Sequence, residues 1–423
     1  MPEYQALHDT ASSPAGMLEL LERMKPRTIL ALGNFFAVAH FYLIEYILTP
    51  YLATLMPADT AALAVALGAI ITLVIFPYIP RLVVRHGPQR MAIFFAGIEG
   101  LLLLLLSTPL SALAAVGLIA LACSVPPFIV YQLDLLLEAC VEDEQTTGRV
   151  RTAFNTAGNA ALLFSPLLVG ILLDGGDRYG LVFLAAALSV IPFILLMFVR
   201  TLPHVHPPGL RSLRTAAIAL LSDKDRRAVA LSNLVMQCFF HLVPLYVPLY
   251  LHTVLGVPWS SLGWVLAVSL IPFVIFEYPA GWLADTKLGD TALLAIGFVV
   301  GGLSLAALTF VSATTSLAVI LSILIVMRIG GALIEAMTEA HFFRRISSED
   351  IEAVSIFRMM RPVGALTAPI IGSILLSASN YSGLFIVSGF GILIAGVACA
   401  YAIASPLPPV LTESEVLPES GAH

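Results

Sequence analysis

Twelve stretches of this chain are apolar over the length a helix needs to cross a bilayer, and that count limits the fold more than any other feature. A hydrocarbon core takes about 20 helical residues to span. Runs of that size lie at roughly 28–48, 60–80, 91–107, 110–137, 152–173, 179–199, 228–251, 259–283, 291–311, 315–340, 353–377 and 381–404. Backbone groups in lipid must be hydrogen-bonded internally, which leaves helices or closed barrels. The six consecutive leucines at 101–106 suit a helix and lack the alternation of a barrel strand. Only 11% of the 423 residues are charged, against about 25% in soluble domains. The chain therefore reads as an all-α integral membrane protein. Its longest internal polar break, 201–227, divides six segments from six.

Basic residues orient the set. With the N-terminus in the cytoplasm, Arg23, Lys25, Arg27, Arg81, Arg85, Arg90, Arg149, Arg151, Arg200, Arg211, Arg214, Lys224, Arg226, Arg227, Lys287, Arg344, Arg345, Arg358 and Arg361 all fall in or beside inner loops. Arg178 alone falls in an outer loop and Arg328 in mid-segment. This is the asymmetry of the positive-inside rule. A cell-membrane protein with both termini cytoplasmic is the expectation.

The two halves carry the same residues. Asp134 and Glu138 recur as Glu335 and Glu339, and His40 recurs as His241, all at an offset of 201. Gly87 and Gly289 follow segments 2 and 8, and Ser165-Pro166 and Ala368-Pro369 occupy segments 5 and 11. A near-constant offset implies two parallel six-helix repeats. The expected organisation is an N-terminal tail at 1–26, a bundle at 27–200, a linker at 201–227, a second bundle at 228–404 and a cytoplasmic tail at 405–423. In the linker, Leu210, Leu213, Ala217 and Leu220 predict a short amphipathic helix on the membrane surface.

Several classes are excluded or disfavoured. A net charge of −6 offers no basic face for nucleic acid. Cys123, Cys140, Cys238 and Cys399 make no Cys-x-x-Cys pattern, so no disulfide frame, metal site or cofactor is expected. His204 and His206 sit in a proline-rich linker and carry no metal prediction. No Walker loop, Gly-x-Ser-x-Gly elbow or His-Glu-x-x-His is present, so neither ATP hydrolysis nor an enzyme is indicated.

The loop after segment 8 runs Gly281-Trp282-Leu283-Ala284-Asp285-Thr286-Lys287-Leu288-Gly289. It resembles the glycine–aspartate–basic–glycine loop of the major facilitator superfamily, with one extra residue before the second glycine. The loop after segment 2 is a degraded copy. Arg85, Gly87 and Arg90 remain, Val84 stands where that family has an aspartate, and Pro80 where it has a glycine. Glu138 followed by Gly148-Arg149 is similar to the family's acidic end of helix 4 and basic start of helix 5. The resemblance implies twelve transmembrane helices in two six-helix repeats, with helices 1, 4, 7 and 10 around a central cavity.

On those four helices lie His40, Asp134, His241, Arg328 and Glu335, the expected substrate and proton-coupling set. A guanidinium at helix centre costs about 2.5–3.5 kcal/mol even on the lenient insertion scale and needs a partner or water. Glu335 lies on the same face of its helix as Arg328, about 10 Å along the axis. A carboxyl inside such a cavity can load and release a proton in each cycle. Arg85, Glu138, Arg149, Arg151, Gly281, Asp285, Gly289 and Glu339 are expected to form a cytoplasmic gate. Glu45 is read as sitting at an outer gate or reaching the outer interface, Glu99 as paired inward or a proton site, and Tyr42 and Tyr46 as cavity or interface residues.

These observations predict a monomeric secondary transporter that moves a small solute across the bilayer by alternating access, coupled to protons. The competing classes are a membrane receptor or scaffold of the same fold that transports nothing, and an intramembrane enzyme using Asp134 and Glu335 as an acid pair.

Overall fold

The computed structural model describes residues 24–139, 144–202, 222, 224–345 and 351–403; within these, the side chains at 138, 144–153, 277, 278, 285, 286, 343–345 and 351–356 are outside the description. The expected linker helix, both tails and His204 and His206 therefore lie outside the described residues.

Among those residues the chain is helical throughout. The membrane spans are α1 Pro26–Ala53, α2 Ala58–His86, α3 Pro88–Leu106, α4 Ala112–Leu137, α5 Glu144–Leu172, α6 Tyr179–Val199, α7 Lys224–Val254, α8 Trp259–Ile275, α9 Asp290–Phe310, α10 Leu317–Arg345, α11 Ile351–Ala378 and α12 Tyr381–Ala402. Eleven are long and apolar enough to cross a membrane by length and composition alone; α8 is shorter. It breaks at Leu270 and again at Phe276, continuing as Glu277–Leu283. Pro272 and Pro279 lack the backbone N–H a helix interior uses, so the span bends where each occurs. The expected run at 259–283 is this broken helix. Pro126 similarly separates the two halves of α4 at Val125.

The duplication seen in the residues is also a duplication of contacts. Asn34 of α1 donates to the Phe154 carbonyl of α5 at 2.9 Å, and Asn233 of α7 donates to the Phe357 carbonyl of α11 at 2.8 Å. Each amide is buried and ties the first helix of its half to the fifth. His40 Nδ1 lies 3.2 Å from the Phe36 carbonyl, and His241 Nδ1 lies 2.8 Å from the Gln237 carbonyl, one turn back in each helix. Gly87 and Gly289 adopt the same backbone conformation, φ 80° with ψ 150° and φ 75° with ψ 159°. Only glycine takes that conformation without a steric penalty, so the degraded first loop keeps the turn while losing the acid.

The halves meet along two pairs of helices, α5 against α8 and α2 against α11. At the first crossing the backbones touch. A Cβ on Gly263 would lie 2.6 Å from the Pro166 carbonyl and 2.7 Å from the Gly170 Cα. Small residues allow this approach.

Candidate functional site: a cross-bundle arginine–glutamate cluster

The site is built where α1 faces α10 and α11. Arg328 is only 5% exposed. It shares a hydrogen bond with Tyr46 of α1, and its guanidinium stacks 5.9 Å from the Phe273 ring of α8. Arg361 of α11 lies 5.7 Å over the Phe41 ring of α1. Glu45, on the turn between Phe41 and Tyr46, is within electrostatic reach of both guanidiniums. Tyr42 interacts electrostatically with Glu45, Arg361 and Glu335, and His241 interacts with Arg361. One acid from the N-terminal half thus faces two arginines from the C-terminal half across a wall of Phe41, Tyr42, Tyr46 and Phe273.

Local chemistry explains why these groups are tolerated in the membrane. A charge buried in protein costs several kcal/mol unless paired, and aromatic faces partly replace its hydration. Arg328 has the Phe273 ring, a hydrogen bond with Tyr46 and Glu45 within electrostatic reach. Its Nε and Glu45 Oε2 stay without a hydrogen-bond partner among the described residues. Arg361 precedes Pro362, whose missing N–H locally loosens α11.

The sequence-predicted residues divide. Arg328, Glu335 and His241 do belong to one cluster. His40 is 2% exposed and held by the Phe36 carbonyl within its own helix. Asp134 is displaced from the expected set. It forms an ion pair with Arg358 of α11, a contact between the halves on the side of the membrane where α1 begins, with side chains 28% and 45% exposed. Sequence reading missed Glu45 and Arg361. The sequence places Glu45 at an outer gate or the interface and Arg361 among the inner-loop cations, yet the two lie within electrostatic reach of each other. The signal available was spacing: Phe41, Tyr42, Glu45 and Tyr46 fall at helical positions of one face.

Of the expected gate residues, Arg85 and Glu339 are exposed, Gly281 lies in the last piece of α8, and Gly289 forms the turn after it. The side chains of Glu138, Arg149, Arg151 and Asp285 are outside the described residues. Glu99 is wholly buried in α3, with neither carboxyl oxygen partnered among the described residues. No group of three or more His, Cys, Asp or Glu side chains among the described residues comes together to hold a metal.

On the opposite side of the membrane from the α1 start, called here the far face, the halves are in contact. The Thr49 hydroxyl of α1 donates to the Leu245 carbonyl of α7. Tyr179 of α6 meets Trp259 of α8 edge to face at 6.1 Å, and His252 of α7 meets Asp177 at 2.9 Å. Arg358 and Arg361 are exposed toward the side where α1 begins.

Comparison with known proteins agrees with this architecture. No curated protein sequence matches the chain. Among solved structures, the nucleoside transporter NupG superposes with a TM-score of 0.71 at 13% identity, covering 90% of this chain and 99% of that one. The peptide transporter POT, solved in complex with sulfate, gives 0.69 at 12% identity, with 89% and 94% covered. A bacterial homolog of the human lysosomal transporter Spinster, inward-facing and unoccupied, gives 0.64 at 11% identity with the same coverages. At these identities the likeness is one of fold. A family model, however, matches residues 30–337 and 229–420, nearly the whole chain. With its repeated six-helix halves and twelve spans, the chain belongs to the Major Facilitator Superfamily.

Proposed function

We propose that this secondary transporter moves a small polar solute by proton-coupled alternating access, with Glu45 as the coupling acid. The observation that carries the proposal is the placement of Glu45 opposite Arg328 and Arg361. With no solute bound, the Glu45 carboxylate offsets one of the two guanidinium charges. When Glu45 takes a proton, that offset is lost and the arginines can accept an anionic or strongly hydrogen-bonding group of the solute. Release of the solute and the proton restores the resting pairing. The guanidiniums move with one half and the carboxyl with the other, so the exchange of partners is tied to the rocking of the repeats. Glu335 adds a second acid within electrostatic reach of Tyr42, His241 lies within reach of Arg361, and His40 packs α1.

Asp134 in this reading is a gate residue. With Arg358 it closes the side on which α1 begins and α12 ends, and the basic-residue distribution supports reading that side as the cytoplasm. The bundles at 27–200 and 228–404 act as the moving bodies, the linker at 201–227 joins them, and a monomer suffices for the cycle. Purified protein in proteoliposomes, screened by thermal shift for a stabilising solute and then by flux with and without an imposed pH gradient, tests the proposal. Solute flux that ignores the gradient removes proton coupling.

A further inference from the structure

We propose that His252 and Asp177 form a proton-binding site on the far face, at which one bound proton latches the two halves closed over the central site. The argument rests on what lies at each ring nitrogen. His252 Nδ1 is 2.9 Å from the carbonyl oxygen of Val257, and Nε2 is 2.9 Å from Oδ1 of Asp177. A backbone carbonyl can only accept, so Nδ1 must carry a hydrogen. A carboxylate can only accept, so Nε2 must carry one too. A neutral imidazole has one N–H and makes one of these bonds. Both form together only when the His252–Asp177 pair holds one proton more than a neutral ring and a carboxylate.

The position of the pair gives that proton a mechanical effect. Val257 belongs to the same half as His252 and fixes the ring. Asp177 lies in the loop between α5 and α6 of the other half. Beside it are the remaining far-face contacts, Tyr179 on Trp259 at 6.1 Å and the Gly170–Gly263 crossing. Trp259 also packs against the His252 ring at 4.7 Å between centroids, which holds the imidazole plane. The carboxylate side chain is 48% exposed and the ring 15% exposed, so protons reach the pair from the far side.

The other ionisable groups around the ring do not compete for its nitrogens. In the Asp177 loop, Asp174 and Arg178 precede and follow it, and the Arg178 guanidinium folds back over Gly175. Tyr179 stands at the start of α6 against Trp259. Behind the neighbouring Thr253 are Tyr381 of α12 and Asp59 of α2. Each nitrogen already has its one acceptor. The sign follows: closure of the far face binds a proton, so acid favours the closed state and rising pH releases it.

The test uses full-length protein in nanodiscs, with the four native cysteines replaced by serine and spin labels at Thr108→Cys and Thr314→Cys, exposed far-face positions on opposite halves. Double electron–electron resonance is recorded between about pH 5 and 8.5, the range in which histidines exchange protons. The closed-to-open ratio should fall about two- to five-fold as pH rises, the effect of one partly exposed charge pair. In a Glu45→Gln background, which removes proton exchange at the central site, His252→Gln, which retains an N–H toward Asp177, and Asp177→Asn should each give a ratio that does not change with pH. The same Glu45→Gln background with His252 and Asp177 intact should keep a pH response of the far face, which separates this latch from coupling at the central site. An unchanging ratio in the parent protein, or a parent-like pH response in either latch variant, overturns the proposal.

Discussion

Arg358 of α11 reaches across the space between the halves to the carboxylate of Asp134 on α4, an ion pair between the two repeats. We propose that this pair serves as the terminal-side gate in place of the acid that the first loop lacks. Val84 occupies that position, and the arginine finds its partner on α4 instead. Because both side chains are partly exposed, the bond is worth about 0.2–1 kcal/mol. Asp134→Asn or Arg358→Gln should therefore open the terminal side, raising the open population by up to about five-fold without lowering the melting temperature. The double exchange Asp134→Arg with Arg358→Asp should restore the parent distribution. Inter-label distances across the terminal side measure this; a double exchange no better than either single change would show that the pair does not gate.

Coupling is expected to fail at Glu45 rather than at Asp134. Glu45→Gln keeps the size of the side chain and removes its titration. Uphill accumulation driven by a pH gradient should disappear, while exchange of solute across the membrane persists. Parallel flux measurements on Asp134→Asn should retain gradient-driven uptake. If Glu45→Gln still accumulates solute against its gradient, another group carries the proton.

Arg328 presents a planar donor fork, and a lysine replaces its charge but not its geometry. Arg328→Ala and Arg328→Lys should both lose solute binding by at least ten-fold, whereas Tyr46→Phe, which removes one hydrogen bond, should cost about 0.5–1.5 kcal/mol. Isothermal titration or solute-induced thermal shift reads the difference. Full affinity in Arg328→Lys would assign the residue to charge balance alone.

The equivalent amides offer a stability test. Asn34→Ala and Asn233→Ala each leave a buried carbonyl, that of Phe154 or Phe357, without its donor. Each should destabilise its own half by about 1–3 kcal/mol. Because the two sites are in separate bundles, their effects should add. Unfolding of the single and double variants in mixed micelles provides the comparison, and a marked departure from additivity would mean that the halves do not unfold independently.

Gly263 sets the closest backbone approach between the halves on the far-face side. Gly263→Val places a Cβ against the Pro166 carbonyl and Gly170, neither of which can move without separating α5 from α8. The variant should fold, shift toward far-face-open and lose transport. Normal turnover in it would show that the crossing opens and closes without this contact.

Much of this architecture is decided by short-range chemistry. Apolar runs of bilayer length must become helices because lipid supplies no hydrogen bonds. Pairs such as His40 and His241 or Gly87 and Gly289 recur because a duplicated bundle repeats its contacts, so the spans and the repeat can be read from spacing alone. A buried arginine is equally legible, since its cost demands a reason, and Arg328 does stand in the central cluster. Partnership between halves is not legible in this way. Whether Glu45 meets lipid headgroups or two guanidiniums depends on how α1 is rotated against α10 and α11, and no local pattern encodes that rotation. Arg361 and Arg358 are three residues apart on one helix, yet one stands over Phe41 and the other reaches Asp134. The far-face pairing of His252 with Asp177 joins a helix end to a loop of the other repeat. Such contacts exist only once two separately folded bundles have docked, and docking is a property of whole surfaces.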